Sequence, residues 1–154
     1  MAERGNLYIA VIGGGSCTPE VAALAEQVGA AIARAKAVLV CGGLGGVMEA
    51  ASRGAKANGG VTIGILPTTD YRAANPHIDH AICTGIGEAR NLAVVMTADG
   101  VIALPGEFGT LSEISFALKY NKPVVSLGSW TVAPQIIKAA TPAEAVEKLK
   151  EELS

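Results

Sequence analysis

Short apolar runs rich in β-branched residues recur along this chain, and they do not alternate with polar residues. Strands that are buried on both faces have this pattern, which is typical of a parallel sheet covered by helices. The runs cover residues 7–12, 37–41, 61–66, 81–84, 101–104 and 124–127. Patterns that predict helices lie between and after them, at 18–35, 47–58, 88–98, 110–120 and from 141 onward.

The alternation of strands and helices over the whole length predicts an α/β fold with three layers, in which helices cover a mainly parallel sheet. The chain has 154 residues, the size of one ordinary domain, and we expect a single domain over 1–154. The longest irregular stretch, 67–80, contains Asn75-Pro76 and both histidines. Loops of this length are often functional.

Composition narrows the classes of function. Only 17% of the residues are charged and 50% are apolar, which indicates that part of the surface is covered in a homo-oligomer, a dimer or a tetramer. The apolar helical segment 91–98 is the predicted interface. A net charge of −2 without a basic tract argues against a nucleic-acid partner, and no apolar run approaches the roughly 20 residues of a membrane helix. Three separate cysteines fit a reduced, cytoplasmic compartment.

Three of the predicted strand–helix junctions are rich in glycine. Glycine lets a ligand approach the backbone closely, and free amides at the start of a helix favour an anion. Ligands of open α/β sheets bind at this edge, so we expect these loops to bind a phosphorylated small molecule. The alternative is three tight turns without a ligand. The loop residues are Gly13, Gly14, Gly15 and Ser16, then Gly42, Gly43, Gly45 and Gly46, then Pro105, Gly106, Gly109 and Thr110.

The glycine loops match neither of the common nucleotide motifs. The dinucleotide pattern GxGxxG is incomplete, because Thr18 and Met48 stand where its last glycine belongs. No GxxxxGK[ST] occurs, which argues against an ATP- or GTP-hydrolysing P-loop. A mononucleotide or another phosphorylated small molecule remains. His77 and His80 lack a third convincing ligand, so no metal site is predicted.

The charged residues near these loops have two interpretations each. Glu113 matches a capping box with Thr110, in which the Glu113 carboxylate accepts a hydrogen bond from the Thr110 amide. Alternatively, Glu113 is a carboxylate in the cleft that acts as a base or stabilises positive charge on a sugar. Arg90 opposes the helix dipole at a helix start, which favours an anion partner; the alternative is a salt bridge to Glu88 or another carboxylate. Glu107 is expected to point outward, away from a phosphate.

Two segments, "GGLGGVMEAASRGAKANGG" and "GIGEARNLAVVMTADGVIALPGEFGTLSEI", resemble the family once labelled lysine-decarboxylase-like. It includes the Lonely Guy cytokinin riboside monophosphate phosphoribohydrolases, the molybdenum-cofactor carrier proteins and a bacterial branch related to DNA-processing Rossmann proteins. The resemblance covers residues 8 to about 127 and is most specific around Arg90 and in the 105–113 loop, where the family pattern is PGGxGTxxE.

This resemblance implies a Rossmann-like fold, a homo-oligomer and a ligand over the glycine loops. In the phosphoribohydrolases, which hydrolyse an N-glycosidic bond, the catalytic arginine and glutamate correspond to Arg90 and Glu113 here. The phosphate loop corresponds to Gly106, Gly109 and Thr110.

Two departures separate this chain from the hydrolase pattern. The hydrolases usually carry Arg-Lys where this chain has Arg90-Asn91, and the second glycine of the motif is Glu107. The first hypothesis is therefore a protein that binds a phosphorylated, nucleotide-like molecule, with Arg90 and Asn91 beside the loops. The second is a nucleoside 5'-monophosphate phosphoribohydrolase, and the third is a carrier of a molybdopterin-type cofactor.

Overall fold

The sheet predicted from the apolar runs is present in the structure, a computed structural model that describes residues 5–154. Seven strands lie in the order β4-β3-β2-β1-β5-β6-β7, and each neighbouring pair is parallel. All of them therefore end at the same edge of the sheet. The strands are β1 (Tyr8–Ile12), β2 (Val38–Cys41), β3 (Val61–Leu66), β4 (His80–Cys83), β5 (Gly100–Ala103), β6 (Val124–Ser126) and β7 (Ile137–Lys138).

Five helices cover the two faces of this sheet. On one face α1 (Pro19–Arg34), α2 (Val47–Ala57) and α5 (Pro142–Leu153) share an apolar core with the strands. On the other face α3 (Arg90–Thr97) and α4 (Phe108–Lys119) form a second core. The predicted Rossmann-like three-layer α/β/α sandwich is thus confirmed. Residues 1–4, which the predicted single domain includes, lie outside the described residues.

Burial of a strand follows its position in the sheet, and β2 and β5 each lie between two other strands. Every residue of β2 and β5 is buried, as the unbroken apolar runs predict. Strand β4 differs, since three of its four residues are exposed. Its run is apolar, but β4 lies at the edge of the sheet and only one strand pairs with it.

Helix starts follow the predicted caps at two places. The Thr18 hydroxyl accepts from the Val21 amide at 3.2 Å, and the Thr141 hydroxyl accepts from the Glu144 amide at 3.1 Å. A proline occupies the first helical position after each cap, where a missing amide costs nothing.

Two helix starts and one strand differ most from the predicted elements. The predicted helix 88–98 begins with a separate 3₁₀ turn at Gly87–Ala89, so that α3 starts at Arg90. Helix α4 begins at Phe108, two residues before the predicted start. Strand β7 was not predicted, because a two-residue pairing leaves no periodic signal. No helix in residues 5–154 has the length and apolar character needed to cross a membrane.

Candidate functional site

The strand order reverses at β1, which pairs with β2 on one side and β5 on the other. Crevices beyond the carboxyl ends of the strands at such a point are the usual ligand sites of open α/β sheets. A cavity of about 500 Å³ lies there; we call it the switch-point cavity. Ten of the predicted site residues line it: Gly13, Gly14, Gly15, Ser16, Arg90, Asn91, Gly106, Gly109, Thr110 and Glu113.

The three glycine loops are joined to one another by their backbones. The Gly14 amide donates to the Pro105 carbonyl at 3.0 Å, which links the loop after β1 to the loop after β5. The Gly14 carbonyl accepts from the Val47 amide at 3.0 Å, which links the same loop to the start of α2. A Cβ on Gly14 would lie 2.6 Å from the Ser16 carbonyl oxygen, so this close approach requires glycine.

The glycines of the loop after β2 make room rather than line the cavity. A Cβ on Gly42 would lie 2.5 Å from Nη2 of Arg90, and one on Gly46 would lie 2.3 Å from the Gly14 carbonyl oxygen. Gly43 has a φ of +78° and packs on Leu66. Five of the predicted site residues do not line the cavity: Gly42, Gly43, Gly45, Gly46 and Pro105.

Several amides of the lining loops are open to a ligand. The amides of Gly15 and Ser16 after β1, and those of Phe108, Gly109 and Thr110 at the start of α4, donate to no atom of the described residues. The first amides of a helix have no intrahelical partner, and the helix dipole places positive potential on them. The cavity therefore has two groups of amides suited to an anion.

The capping-box interpretation of Thr110 and Glu113 is wrong. Because α4 begins at Phe108, Thr110 falls inside the first turn and Glu107 occupies the cap position without a side-chain bond. The Thr110 hydroxyl instead packs against Gly106, where a Cβ would lie 2.0 Å from it. Glu113 lies on the buried face of α4 and donates or accepts no side-chain hydrogen bond among residues 5–154.

Arg90 is a buried cation at the floor of the cavity. Only 8% of the residue is exposed. Its Nη1 donates to Asn91 Oδ1 and its Nη2 donates to the Gly42 carbonyl at 3.4 Å, whereas Nε has no partner in the described part of the chain. The alternative salt bridge to Glu88 is absent, and no described carboxylate lies within 4 Å of the guanidinium.

Burial dominates the electrostatics of Glu113. Only 7% of the residue is exposed, and desolvation raises the pKa of its carboxyl from the ordinary 4.5 to about 8, although the positive charge of Arg90 acts in the opposite direction. At pH 7 the carboxyl is therefore mostly protonated. In that state it is a neutral acid that can donate a proton.

Asn91 connects Arg90 to α4. Its Oδ1 accepts from Arg90, and its Nδ2 donates to the Ser112 hydroxyl at 3.4 Å. The Ser112 hydroxyl in turn donates to the Gly109 carbonyl at 2.6 Å. The amide side chain thus fixes the guanidinium relative to the loop after β5.

The sequence did not indicate the apolar residues that line the cavity. Leu44, Met48 and Pro67 give the cavity an apolar side, and the exposed carboxylates Glu88 and Glu107 lie at it as well. Asn75 of the long loop holds this apolar side in place, since its Nδ2 donates to the Leu44 carbonyl at 2.8 Å. The only sequence feature that could have indicated them is Leu44, an apolar residue between the glycine pairs 42–43 and 45–46.

The histidine segment of the long loop has a structural role. Asp79 pairs with Lys56 at 2.8 Å and accepts from the Thr62 amide at 3.0 Å, which ties the end of the loop to β3. Within residues 5–154 no three His, Cys, Asp or Glu side chains cluster closely enough to hold a metal ion.

The family model described as the SLOG cluster4 family matches residues 6–152. The chain belongs to the SLOG cluster4 family. One relative is a cytokinin riboside 5'-monophosphate phosphoribohydrolase of Mycobacterium marinum. It is 34% identical to this chain over 139 residues, which cover 83% of this chain and 74% of the relative. The family suspected from the Arg90 and 105–113 motifs is confirmed.

Two solved structures similar to this SLOG cluster4 chain concern the molybdenum cofactor. The molybdenum cofactor binding protein of Rippkaea orientalis has a TM-score of 0.93 and 38% identity, covering 99% of this chain and 100% of its own. The molybdenum cofactor carrier protein of Chlamydomonas reinhardtii has a TM-score of 0.85 and 32% identity, covering 95% of this chain and 97% of its own.

Proposed function

We propose that the switch-point cavity binds a phosphorylated small molecule that also carries a flat ring. The observation that carries this proposal is the buried guanidinium of Arg90, which has an open Nε and no carboxylate within ion-pair distance in the described residues. An uncompensated buried charge is costly to a fold. A phosphate in the cavity compensates that charge.

The open amides supply the second half of the phosphate site. Those of Gly15 and Ser16 belong to one lining loop, and those of Gly109 and Thr110 belong to the start of α4. Backbone amides and a guanidinium together bind phosphate oxygens through charge-assisted hydrogen bonds, which are stronger than neutral ones.

The apolar side of the cavity suits the ring. Leu44, Met48 and Pro67 lie on it, and a volume of about 500 Å³ falls in the usual range for small-molecule sites. Nucleoside monophosphates and molybdopterin-type molecules both combine a ring with a phosphate. The buried arginine, open amides and apolar side fit either class, and the similarity to cofactor-binding proteins at 38% and 32% identity supports the second class.

The test is direct binding with matched ligands. AMP, inorganic phosphate and adenosine are titrated into the protein by calorimetry, and any ligand that co-purifies is identified by mass spectrometry. We expect AMP to bind more tightly than adenosine, and Arg90→Gln to remove most of the difference. Equal affinity for AMP and adenosine would contradict the proposal.

A second candidate function is hydrolysis of the N-glycosidic bond of a nucleoside 5'-monophosphate. Support comes from the 34% identical phosphoribohydrolase and from the presence of Arg90 and Glu113 in one cavity. With a pKa of about 8, Glu113 can protonate a departing base as a general acid. Asn91 in place of lysine and Glu107 in place of glycine both reduce the positive charge near a phosphate.

The pH dependence of base release distinguishes the roles of Glu113. If the protonated form acts, the rate falls as pH rises through about 8; if the carboxylate acts, the rate rises over the same interval. Release of adenine from AMP is followed by chromatography for the wild type and Glu113→Gln. Ligand binding without release at any pH would exclude the hydrolase and leave the binding function.

We also propose that the protein is a homo-oligomer, a dimer or a tetramer, in a reducing cytoplasmic compartment. Met96 is an exposed apolar side chain within the predicted interface at 91–98, and Ile82 on β4 and Ile86 just before α3 are exposed as well. Cys17, Cys41 and Cys83 are free thiols, which agrees with such a compartment. Light scattering that gives a monomer at micromolar concentration would refute the oligomer.

A further inference from the structure

Trp130 holds the loop after β5 from outside the cavity. Its indole Nε1 donates to the Gly106 carbonyl at 3.0 Å, and its ring stacks on Phe108 with centroids 6.3 Å apart and planes at 27°. Gly106 and Glu107 line the switch-point cavity, whereas Trp130 does not. The indole therefore contacts the proposed phosphate loop without occupying the ligand's place.

We propose that Trp130 is a positioning residue that holds the Gly106–Glu107 peptide with its amide toward the phosphate site. In a planar trans peptide the carbonyl and the following N–H point to opposite sides, and no cis peptide occurs in the described residues. Because the Gly106 carbonyl points to Trp130, the Glu107 N–H points away from it. This amide donates to no atom among residues 5–154.

Gly106 itself gives this peptide little steric restraint. A Cβ at this position would lie 2.0 Å from the Thr110 hydroxyl and 2.8 Å from the Gly14 amide nitrogen, so the packing of the loops requires glycine. Glycine also permits the widest range of backbone conformations. A rotated peptide would turn the Gly106 carbonyl oxygen toward the cavity, where its partial negative charge would repel a phosphate. The indole N–H opposes that rotation.

The inference rests on the proposed function, and the experiment separates the two. Calorimetry measures the affinity of the full chain for AMP, adenosine and inorganic phosphate. A wild type that binds AMP and adenosine equally overturns the proposed function and the inference with it. A wild type that prefers AMP, together with an unchanged preference in the Trp130 variants, overturns the inference alone.

Two substitutions of Trp130 distinguish the hydrogen bond from the bulk of the ring. Trp130→Phe retains an aromatic ring and removes the donor. Trp130→His is smaller, but its Nε2 can occupy the place of the indole nitrogen and donate. We expect Trp130→Phe to lower the preference for AMP over adenosine about tenfold, which equals about 1.4 kcal/mol, and Trp130→His to retain more of it. The affinity for inorganic phosphate should change in the same direction as the affinity for AMP in both variants.

The matched control is Tyr120→Phe, at the far end of α4, where an exposed aromatic side chain loses one polar atom. It should leave all three affinities unchanged. If only the size of the ring mattered, Trp130→His would lose more of the preference for AMP than Trp130→Phe. Equal losses of affinity for AMP and for adenosine would indicate general damage to the protein. Either result overturns the inference. If Trp130→Phe does not fold, loss of the AMP preference in folded Trp130→His overturns it, and retention supports it.

Discussion

Replacing the buried Glu113 with glutamine should stabilise the protein at alkaline pH. The carboxyl has a pKa of about 8 in the folded protein because burial disfavours its charged form. In the unfolded chain its pKa returns to the ordinary 4.5. A raised carboxyl pKa gives stability that is fully present below the unfolded value and is lost as pH rises toward the folded value. Glutamine has nearly the same shape and no charge, so Glu113→Gln removes this loss.

The magnitude follows from the two pKa values. Each pH unit between 4.5 and about 8 costs the wild type about 1.4 kcal/mol relative to Glu113→Gln. Because the carboxyl is half-titrated at each end of this interval, the difference in free energy of unfolding should shift by about 3 kcal/mol between pH 4.5 and pH 7, and by about 4 kcal/mol between pH 4.5 and pH 8. Urea unfolding of both proteins at half-unit intervals from pH 4.5 to 9 measures it.

Glu144 is an internal control, because its pKa is shifted in the opposite direction to that of Glu113. The hydrogen bond from Lys148 and the bond from the Ala140 amide lower the pKa of Glu144. Its contribution is present above the ordinary pKa and is lost as pH falls, so Glu144→Gln should cost stability at neutral pH and little at strongly acidic pH. A difference between the wild type and Glu113→Gln that stays constant from pH 4.5 to 8 would refute the burial argument.

Three further substitutions test other parts of the account. Arg90→Met should leave the free energy of unfolding unchanged or raise it by about 1–3 kcal/mol, and it should abolish the preference for AMP over adenosine. A variant that is less stable but keeps this preference would argue against a buried cation that binds the ligand. Gly29→Ala places a Cβ 1.9 Å from the Ala51 carbonyl oxygen and should lower the free energy of unfolding in urea by about 3 kcal/mol. Gly5→Ala, where a Cβ has no neighbour within 4 Å, should change it little. Equal effects of the two substitutions would contradict the packing of α1 on α2. Thr141→Ala should cost about 1 kcal/mol by loss of the α5 cap, and an unchanged midpoint would show that the cap contributes nothing.

The fold could be predicted because its signals are local. Runs such as 101–104 are too apolar for a half-exposed strand, and the glycine-rich ends of β1, β2 and β5 mark the edge where helices begin. The edge position of β4 and the existence of β7 depend on strand order, which no local pattern contains. These were the elements that the sequence described least well.

The candidate site could be predicted only in part, because it depends on which residues the fold brings together. Arg90 and the loops 13–16 and 105–110 were found from glycine content and family motifs. The spacing of Thr110 and Glu113 is equally that of a cap, and only the earlier start of α4 decides against it. Leu44 and Trp130 are far from the motif in sequence, so their places beside the cavity and its loop required the structure.

The central claim is that open amides and Arg90 form one anion site at the switch point. Titration of isotopically labelled protein with inorganic phosphate, followed by amide NMR, tests it most directly. We expect saturable shifts concentrated at the amides of Gly15, Ser16, Gly109 and Thr110, and the loss of these shifts in Arg90→Met. Shifts spread over distant surface residues, or none at these four amides, would contradict it.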